Sequence, residues 1–498
     1  MQKRVLTLAI GALLIGSLAQ GAMAKGQAEH IILFIGDGMN IEHEIATSRY
    51  LYGLDLGLVF HGFPYQGNVA TWDVTTYNKW AADLGAGDAY DPAAVMPYYG
   101  YDPARGGSEP YPLGPELPGA EDYHTKYATD SASAATAWAT GYKTDSGNIA
   151  WLPGDPNGGA LETIAETLRN ELGQAIGVVS TVPFTHATPA AHVSHNVYRN
   201  NYHQIAEEIL TEVKPEVVIG GGWAEGLSCD DAPGDLDPDA YYISNAAFNA
   251  VCDDDSYVVV TRSSGVDGGL AVLGAAQDAA AEGKKLFGLF GDPDGGNFES
   301  LEPHDLPATP DVKQATKENP TLAEATLAAL KVLSQDEDGF FVMIEQGDID
   351  WANHANDFQR MVGTTKDLED AVKAAVDFVN QPGDGIDWDN TLLIVTADHS
   401  NSYMRNEVAL EAGDLPAQDG SSYPDGEVSY GSTNHTNELV RLYAMGAGVK
   451  YFHRYENRWY PGTGIIDNTH IYHVMRDTAG IPVNPFLELA KPRGRGKR

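Results

Sequence analysis

His30-Ile31-Ile32-Leu33-Phe34-Ile35-Gly36-Asp37-Gly38-Met39 decides how the rest of the chain is read. Residues 31–35 are continuously apolar, the pattern of a strand covered on both faces in a parallel sheet. Two glycines then let the backbone turn tightly and leave the Asp37 carboxylate above the sheet edge. Similar runs recur at 176–180, 217–219, 286–290, 340–344 and 392–396, ending near Gly, Asp or Thr. Helical patterns at 159–172, 202–213, 321–334 and 364–380 lie between several of them, an alternation that predicts βαβ units. The expected fold is α/β, a three-layer αβα sandwich with a central, mainly parallel sheet and surface insertions. Ligands of such sheets sit beyond the carboxyl ends of the strands, so polar residues there are the first site candidates.

The 498-residue chain, 43% hydrophobic, can bury a large core. Lys3 and Arg4 precede an apolar run from Val5 to about Ala19, and Ala22-Met23-Ala24 follows. This layout predicts a secretory signal peptide cleaved near Ala24 and a periplasmic or secreted protein. The run is shorter than the roughly 20 residues a helix needs to cross a bilayer, so no membrane span is expected. In an oxidising compartment the two cysteines, Cys229 and Cys252, are expected to form a disulfide. Residues from about 73 to 124, rich in Tyr, Pro, Gly and Asp, read as a surface insertion, and the acidic stretch 230–255 as a stapled loop. The basic residues 491–498 read as a solvated tail.

Seventy acidic against 31 basic residues give a formal charge of −39, which argues against nucleic-acid recognition and anionic membranes. The excess is diffuse, as in proteins from a salty habitat where counterions screen self-repulsion. A phosphate-binding site on this chain has to concentrate positive charge locally.

Several stretches carry chemistry. Gly36-Asp37-Gly38 alone is also an ordinary turn. Thr129-Asp130-Ser131-Ala132-Ser133-Ala134-Ala135 opens a helix of small residues, where free backbone N–H groups favour phosphate and Ser131 could attack phosphorus; the plainer reading is that Asp130 or Ser131 caps the helix. Asp350 and His354, following Glu345, stand at i, i+4, so one helical turn presents both as metal ligands. Asp398-His399 ends the run at 392–396, and His435 precedes another apolar stretch. Carboxylates and imidazoles at successive strand ends, with a helix-opening serine, suit a two-zinc hydrolase with a covalent step.

These motifs, with Ala187-Thr188-Pro189-Ala190-Ala191 and His435-Thr436, stand in the order of the alkaline phosphatase family, which the chain resembles from His30 to about Gly446. The resemblance implies one catalytic domain over residues 25–490 and hydrolysis of small-molecule phosphate monoesters of broad specificity through a phosphoserine at Ser131. It implies one zinc on Asp350, His354 and His435, a second on Asp37, Asp398 and His399 within reach of Ser131, and a magnesium on Asp37, Thr188 and Glu345. Arg199 takes the phosphate-clamp position, with a surface salt bridge as its plainer role. The family also implies a homodimer. His186 and Trp351 stand where the best-known enteric pattern has Asp and Lys; the first weakens the hold on magnesium so that zinc could fill the third site, and the second removes a positive charge beside phosphate. The rival readings are a phosphodiesterase or sulfatase of the broader superfamily and an exported binding protein.

Overall fold

The computed structural model describes residues 27–83, 123–229, 240–292, 317–383, 385–460 and 462–481. The expected signal peptide, the body of the insertion and the basic tail lie outside the described residues. Fourteen strands are described: β1 His30–Gly36, β2 Tyr65–Ala70, β3 Ala175–Pro183, β4 Val217–Gly221, β5 Tyr257–Thr261, β6 Lys285–Leu289, β7 Phe340–Gln346, β8 Thr391–Thr396, β9 Ser400–Asn401, β10 Met404–Asn406, β11 Val428–Tyr430, β12 His435–Thr436, β13 Val440–Gly446 and β14 Ile466–Asp467. Ten of them form one sheet in the order β14-β2-β13-β8-β1-β7-β3-β4-β6-β5. All its pairings are parallel except those of β13 with β8 and β2.

Helices cover both faces of this sheet. Phe341 and Val342 are neighbours on β7 and so point to opposite faces. The Phe341 ring meets His192 of helix Ala187–Val193 at 5.8 Å. A side chain at Gly177, beside Val342, would strike Leu333 of helix Leu322–Leu333. The three-layer α/β sandwich is therefore as the sequence predicts. Strand register decides what gathers at its edge. Ile35 lies opposite Glu345 on β7 and Thr396 on β8, and Ser180 of β3 lies opposite Glu345. Asp37, Glu345 and Asp398 thus emerge within two residues of one another along the strand direction, at the centre of the carboxyl edge.

Some expectations change. Within the stretch read as an insertion, residues Val74–Asp83 form a helix, and Trp72, Tyr77 and Trp80 pack with Trp459 and Tyr460 in a separate buried aromatic cluster. No local period announces this, because the partners lie nearly 400 residues away. The stretch 230–255 holds a helix, Asn245–Cys252, capped by Ser244. Cys229 and Cys252 are disulfide-bonded. The helix expected at 364–380 spans Phe358–Val379, starting at its Asp357 cap, and the one expected at 159–172 starts at Ile164 after a Thr163–Glu166 capping box. No helix among the described residues is long and apolar enough to cross a membrane.

The segment leading to Arg199 is pinned before it reaches the site. Ile149 and Asn196 exchange backbone hydrogen bonds, and the Arg199 N–H donates to Gly147 O at 2.8 Å. His195 donates from Nδ1 to Glu208 at 2.8 Å and from Nε2 to the Leu161 carbonyl at 2.9 Å, with Glu166 at 3.3 Å. Both ring nitrogens donate, so the ring is an imidazolium. Burial opposes that charge, but the two glutamates prevail and push its pKa up to about 10. A pKa raised above the unfolded 6.5 stabilises fully below that pH, and the contribution disappears as pH climbs through 10. Denaturant unfolding of wild type and His195→Gln should differ by roughly 2–4 kcal/mol near pH 6 and converge above pH ~10.5. A pH-independent difference would refute the clamp.

Candidate metal centre and nucleophile

Asp130 and Ser131 divide the roles that the sequence leaves open. Asp130 is the cap of helix Ser131–Thr140, its Oδ1 accepting the Ser133 N–H at 3.0 Å. Ser131 is the first helical residue. Alanines at 132, 134, 135, 137 and 139 let this helix sink fully into the molecule. The Ser131 hydroxyl lies 3.2 Å from His399 Nε2. Arg199 Nη1 donates to Asp130 Oδ2 at 3.0 Å, and the Gly147 N–H donates to the same oxygen. Burial would raise the Asp130 carboxyl, yet the Arg199 guanidinium and these donors hold it below its usual range. The guanidinium is thereby parked beside the nucleophile's helix.

Helix Asp348–His354 presents Asp350 and His354 on one face, as their spacing predicts. The two side chains lie 3.2 Å apart, and His435 Nε2 lies 3.5 Å from Asp350 and 3.1 Å from His354 Nε2. His354 Nδ1 sits 2.6 Å from the Thr433 carbonyl, and His435 Nδ1 2.9 Å from the Thr129 carbonyl. A carbonyl only accepts, so each Nδ1 carries the hydrogen and each Nε2 faces the same point, where it can carry a proton or, once deprotonated, offer a lone pair to a cation. Two lone pairs and a carboxylate converging this closely call for a shared cation. The field has the same sign: burial would raise Asp350, but His435 and His354 hold it well below its usual range, while His435, against its burial, is pushed up to about 9 chiefly by Asp350.

The second group lies alongside. Asp37, Asp350 and His399 offer ligand atoms within 4.8 Å of one another. Asp398, the expected third ligand here, has Oδ2 2.9 Å from His399 Nε2, while its Oδ1 accepts the N–H groups of Gly38 and His399. The His399 and His435 rings stack at 3.6 Å and join the two groups. Gly38 adopts φ +68°, and a Cβ there would lie 2.7 Å from Asp350 Oδ1. This glycine is required both by its backbone and by the close approach of Asp350.

Glu345 completes the ring. Its carboxylate accepts the Ser180 hydroxyl and faces that of Thr188. Burial pushes it up to about 7, although both hydroxyls favour the charged form. Asp37 is driven well above its usual range by burial, then by Asp398, Asp350 and Glu345. Thr188 Oγ1, Asp37 Oδ1 and His186 Nε2 are buried with no hydrogen-bond partner. Four carboxylates at one point, with unsatisfied oxygens and imidazole lone pairs aimed inward, fit divalent cations by donor chemistry and by charge.

Sequence reasoning missed two supports. Asn401 donates from Nδ2 to Asp350 Oδ1 at 2.5 Å and is brought there by the β9–β12 pairing opposite His435. Asp73, assigned to the insertion, is buried beneath the nucleophile. Its Oδ2 lies 3.0, 2.8 and 2.8 Å from the hydroxyls of Thr129, Ser133 and Ser146, and its Oδ1 accepts the Thr76 N–H. The Asp73-Val-Thr-Thr76 capping pattern was the available signal. Asp73→Ala removes the buried acceptor shared by three hydroxyls at the root of the Ser131 helix, leaving Ser133 to Asp130 and Thr129 to Ser133. It should cost about 2–4 kcal/mol in denaturant unfolding and lower kcat/KM, with Asp73→Asn recovering much of both. Unchanged unfolding and turnover in Asp73→Ala would contradict this role.

Residues 118–232 and 276–414 match the family model described as alkaline phosphatase. The chain belongs to the alkaline phosphatase family. Alkaline phosphatase 3 of Bacillus subtilis is 30% identical over 415 residues, covering 80% of this chain and 69% of the relative. The alkaline phosphatase of the Antarctic bacterium TAB5 shares the fold, with a TM-score of 0.59, 21% identity and coverage of 92% and 100% of the two chains. A histidine-to-aspartate mutant of that protein, described as having magnesium bound in its M3 site, aligns with a TM-score of 0.56 and 21% identity over 91% and 99%. As an alkaline phosphatase the chain is a phosphoric monoester hydrolase that binds metal. Asp37 and His435 fall outside the matched spans, and the structure brings both to the residues within them.

Proposed function

We propose that this enzyme hydrolyses phosphate monoesters of broad specificity through a phosphoserine on Ser131. The convergence of the His354 and His435 lone pairs with Asp350, beside a serine hydroxyl 3.2 Å from His399, carries the reading. In it Asp350, His354 and His435 hold one zinc, Asp37, Asp398 and His399 a second, and Asp37, Thr188 and Glu345 a magnesium. When bound, the cations supply positive charge that offsets the carboxylates and stabilises the oxygens of an in-line displacement. The similar protein described with magnesium in its M3 site carries aspartate in place of a histidine, in line with the preference of magnesium for oxygen donors. His186 beside Thr188 offers nitrogen where a hard cation prefers oxygen, so zinc is the alternative occupant.

Ser131 Oγ attacks phosphorus, the ester P–O bond breaks, and the alcohol leaves; water then attacks the phosphoserine, restores Ser131 and releases inorganic phosphate. Arg199 turns its fork from Asp130 to two phosphate oxygens, and the free N–H groups opening the Ser131 helix favour the anion. Residues 1–24 direct export, residues 25–490 form the catalytic domain, and the family points to a homodimer. Wild type loaded with zinc and magnesium should hydrolyse an aryl phosphate at alkaline pH far faster than an aryl phosphodiester or sulfate. Chelation should abolish turnover, and Ser131→Ala should lower kcat by about a thousandfold or more. Acid quench should trap phosphate on wild type and none on the variant. A preference for the diester or sulfate, or full activity in Ser131→Ala, would sink the proposal.

A further inference from the structure

A row of aromatic rings runs from the metal ligands to solvent. Trp351 lies on helix Asp348–His354 between Asp350 and His354. Its ring faces that of His186 at 6.3 Å and 25°, and His186 faces Tyr202 at 5.6 Å and 17°. Three rings from three chain segments thus stand nearly parallel. Tyr242 meets His186 and Tyr202 edge-on at 5.3 and 5.0 Å, and Tyr241 meets Tyr242 at 4.9 Å and 90°. Such offset and edge-to-face distances are those of favourable ring pairs. This is no core cluster: Trp351 is 38% exposed and Tyr241 71% exposed. Trp351 directly follows Asp350 on its helix, and Tyr202 lies three residues after Arg199.

We propose that this row is a leaving-group subsite, and that it selects phosphate monoesters whose alcohol carries a planar aromatic or heteroaromatic ring, such as aryl phosphates and nucleoside 5′-monophosphates. The inference rests on the phosphomonoesterase reading. A phosphate held between Arg199 and Ser131 has to project its alcohol past the residues that flank those groups. A ring a few bonds from phosphorus therefore comes within reach of Trp351 and Tyr202, and extends toward Tyr241. The contact is uncharged, so it adds affinity where a surface of charge −39 repels the phosphate itself, and salt does not screen it.

Steady-state kinetics of the metal-loaded enzyme on phenyl phosphate, adenosine 5′-monophosphate and glycerol 2-phosphate test this. The readout is the ratio of kcat/KM for each aromatic ester over glycerol 2-phosphate. Tyr241→Ala and Trp351→Ala should each lower that ratio about fivefold or more, mainly through KM, and Trp351→Phe should retain it. The wild-type ratio should persist as salt is raised, and adenosine alone should compete with substrate in wild type more strongly than in Tyr241→Ala. An unchanged ratio in both alanine variants, or equal losses on aromatic and aliphatic esters, would overturn the subsite while leaving the phosphatase intact. Failure of wild type on all three esters would remove the parent reading and this one with it.

Discussion

Four buried carboxylates at one point on the sheet edge are the constraint on which the rest of the structure depends. Asp37, Glu345, Asp350 and Asp398 are all buried, and the charges of Asp398, Asp350 and Glu345 raise the Asp37 carboxyl further. Nothing in protein chemistry gathers such charges without compensation. The fold forces the gathering: β1 runs parallel between β7 and β8 in near-level register, and Asp350 is carried in by the short helix that follows β7. Compensation is divided between histidines on the opposite side and the cations that the donor set fits. That arrangement also resolves the conflict between a strongly acidic protein and an anionic substrate. Cations held by this donor set would confine positive charge to the sheet edge, and repulsion is left to the solvated surface.

Around these charges the structure spends backbone carbonyls and small polar side chains on orientation. The Thr129 and Thr433 carbonyls fix the hydrogen on Nδ1 of His435 and His354. Thr129 does so from the segment that leads into the nucleophile's helix, and its own hydroxyl reaches Asp73. A single stretch, 129–133, therefore sets the tautomer of His435, caps the helix, supplies the serine proposed as nucleophile and anchors to a buried acid. A shift of this helix would disturb both the nucleophile and the His435 orientation, which explains why it is packed with alanine and made wholly buried.

The chain announces its strands and its ligands for one reason: each is local. Six buried strands read as apolar runs, and the Asp350–His354 pair reads from helical spacing alone. Strand order does not read, because it is set by which elements pack, and β2 and β14 carry too few apolar residues to stand out. Asp73 is the instructive failure. Its neighbours in sequence look like loop, and its importance comes from hydroxyls 56 to 73 residues away. The aromatic row is hidden likewise, since Tyr202, Tyr241 and Trp351 each look like an ordinary surface aromatic until the fold sets them side by side.

His186 and Trp351 give the departures from the enteric pattern a common physical meaning. By that resemblance each, taken singly, is a loss: an imidazole where the pattern has an acid, and an indole where it has a cation. The structure sets the two rings face to face at 6.3 Å and 25°. An acid and a base of opposite charge are thus exchanged for two neutral rings, and the net charge beside the site stays the same. Burial, followed by the Arg199 charge, lowers the His186 pKa to about 3, which favours the neutral ring. An unpaired change would leave one charge uncompensated there. Together, the two residues put an aromatic face where that pattern has charge, and it continues outward through Tyr202 and Tyr242.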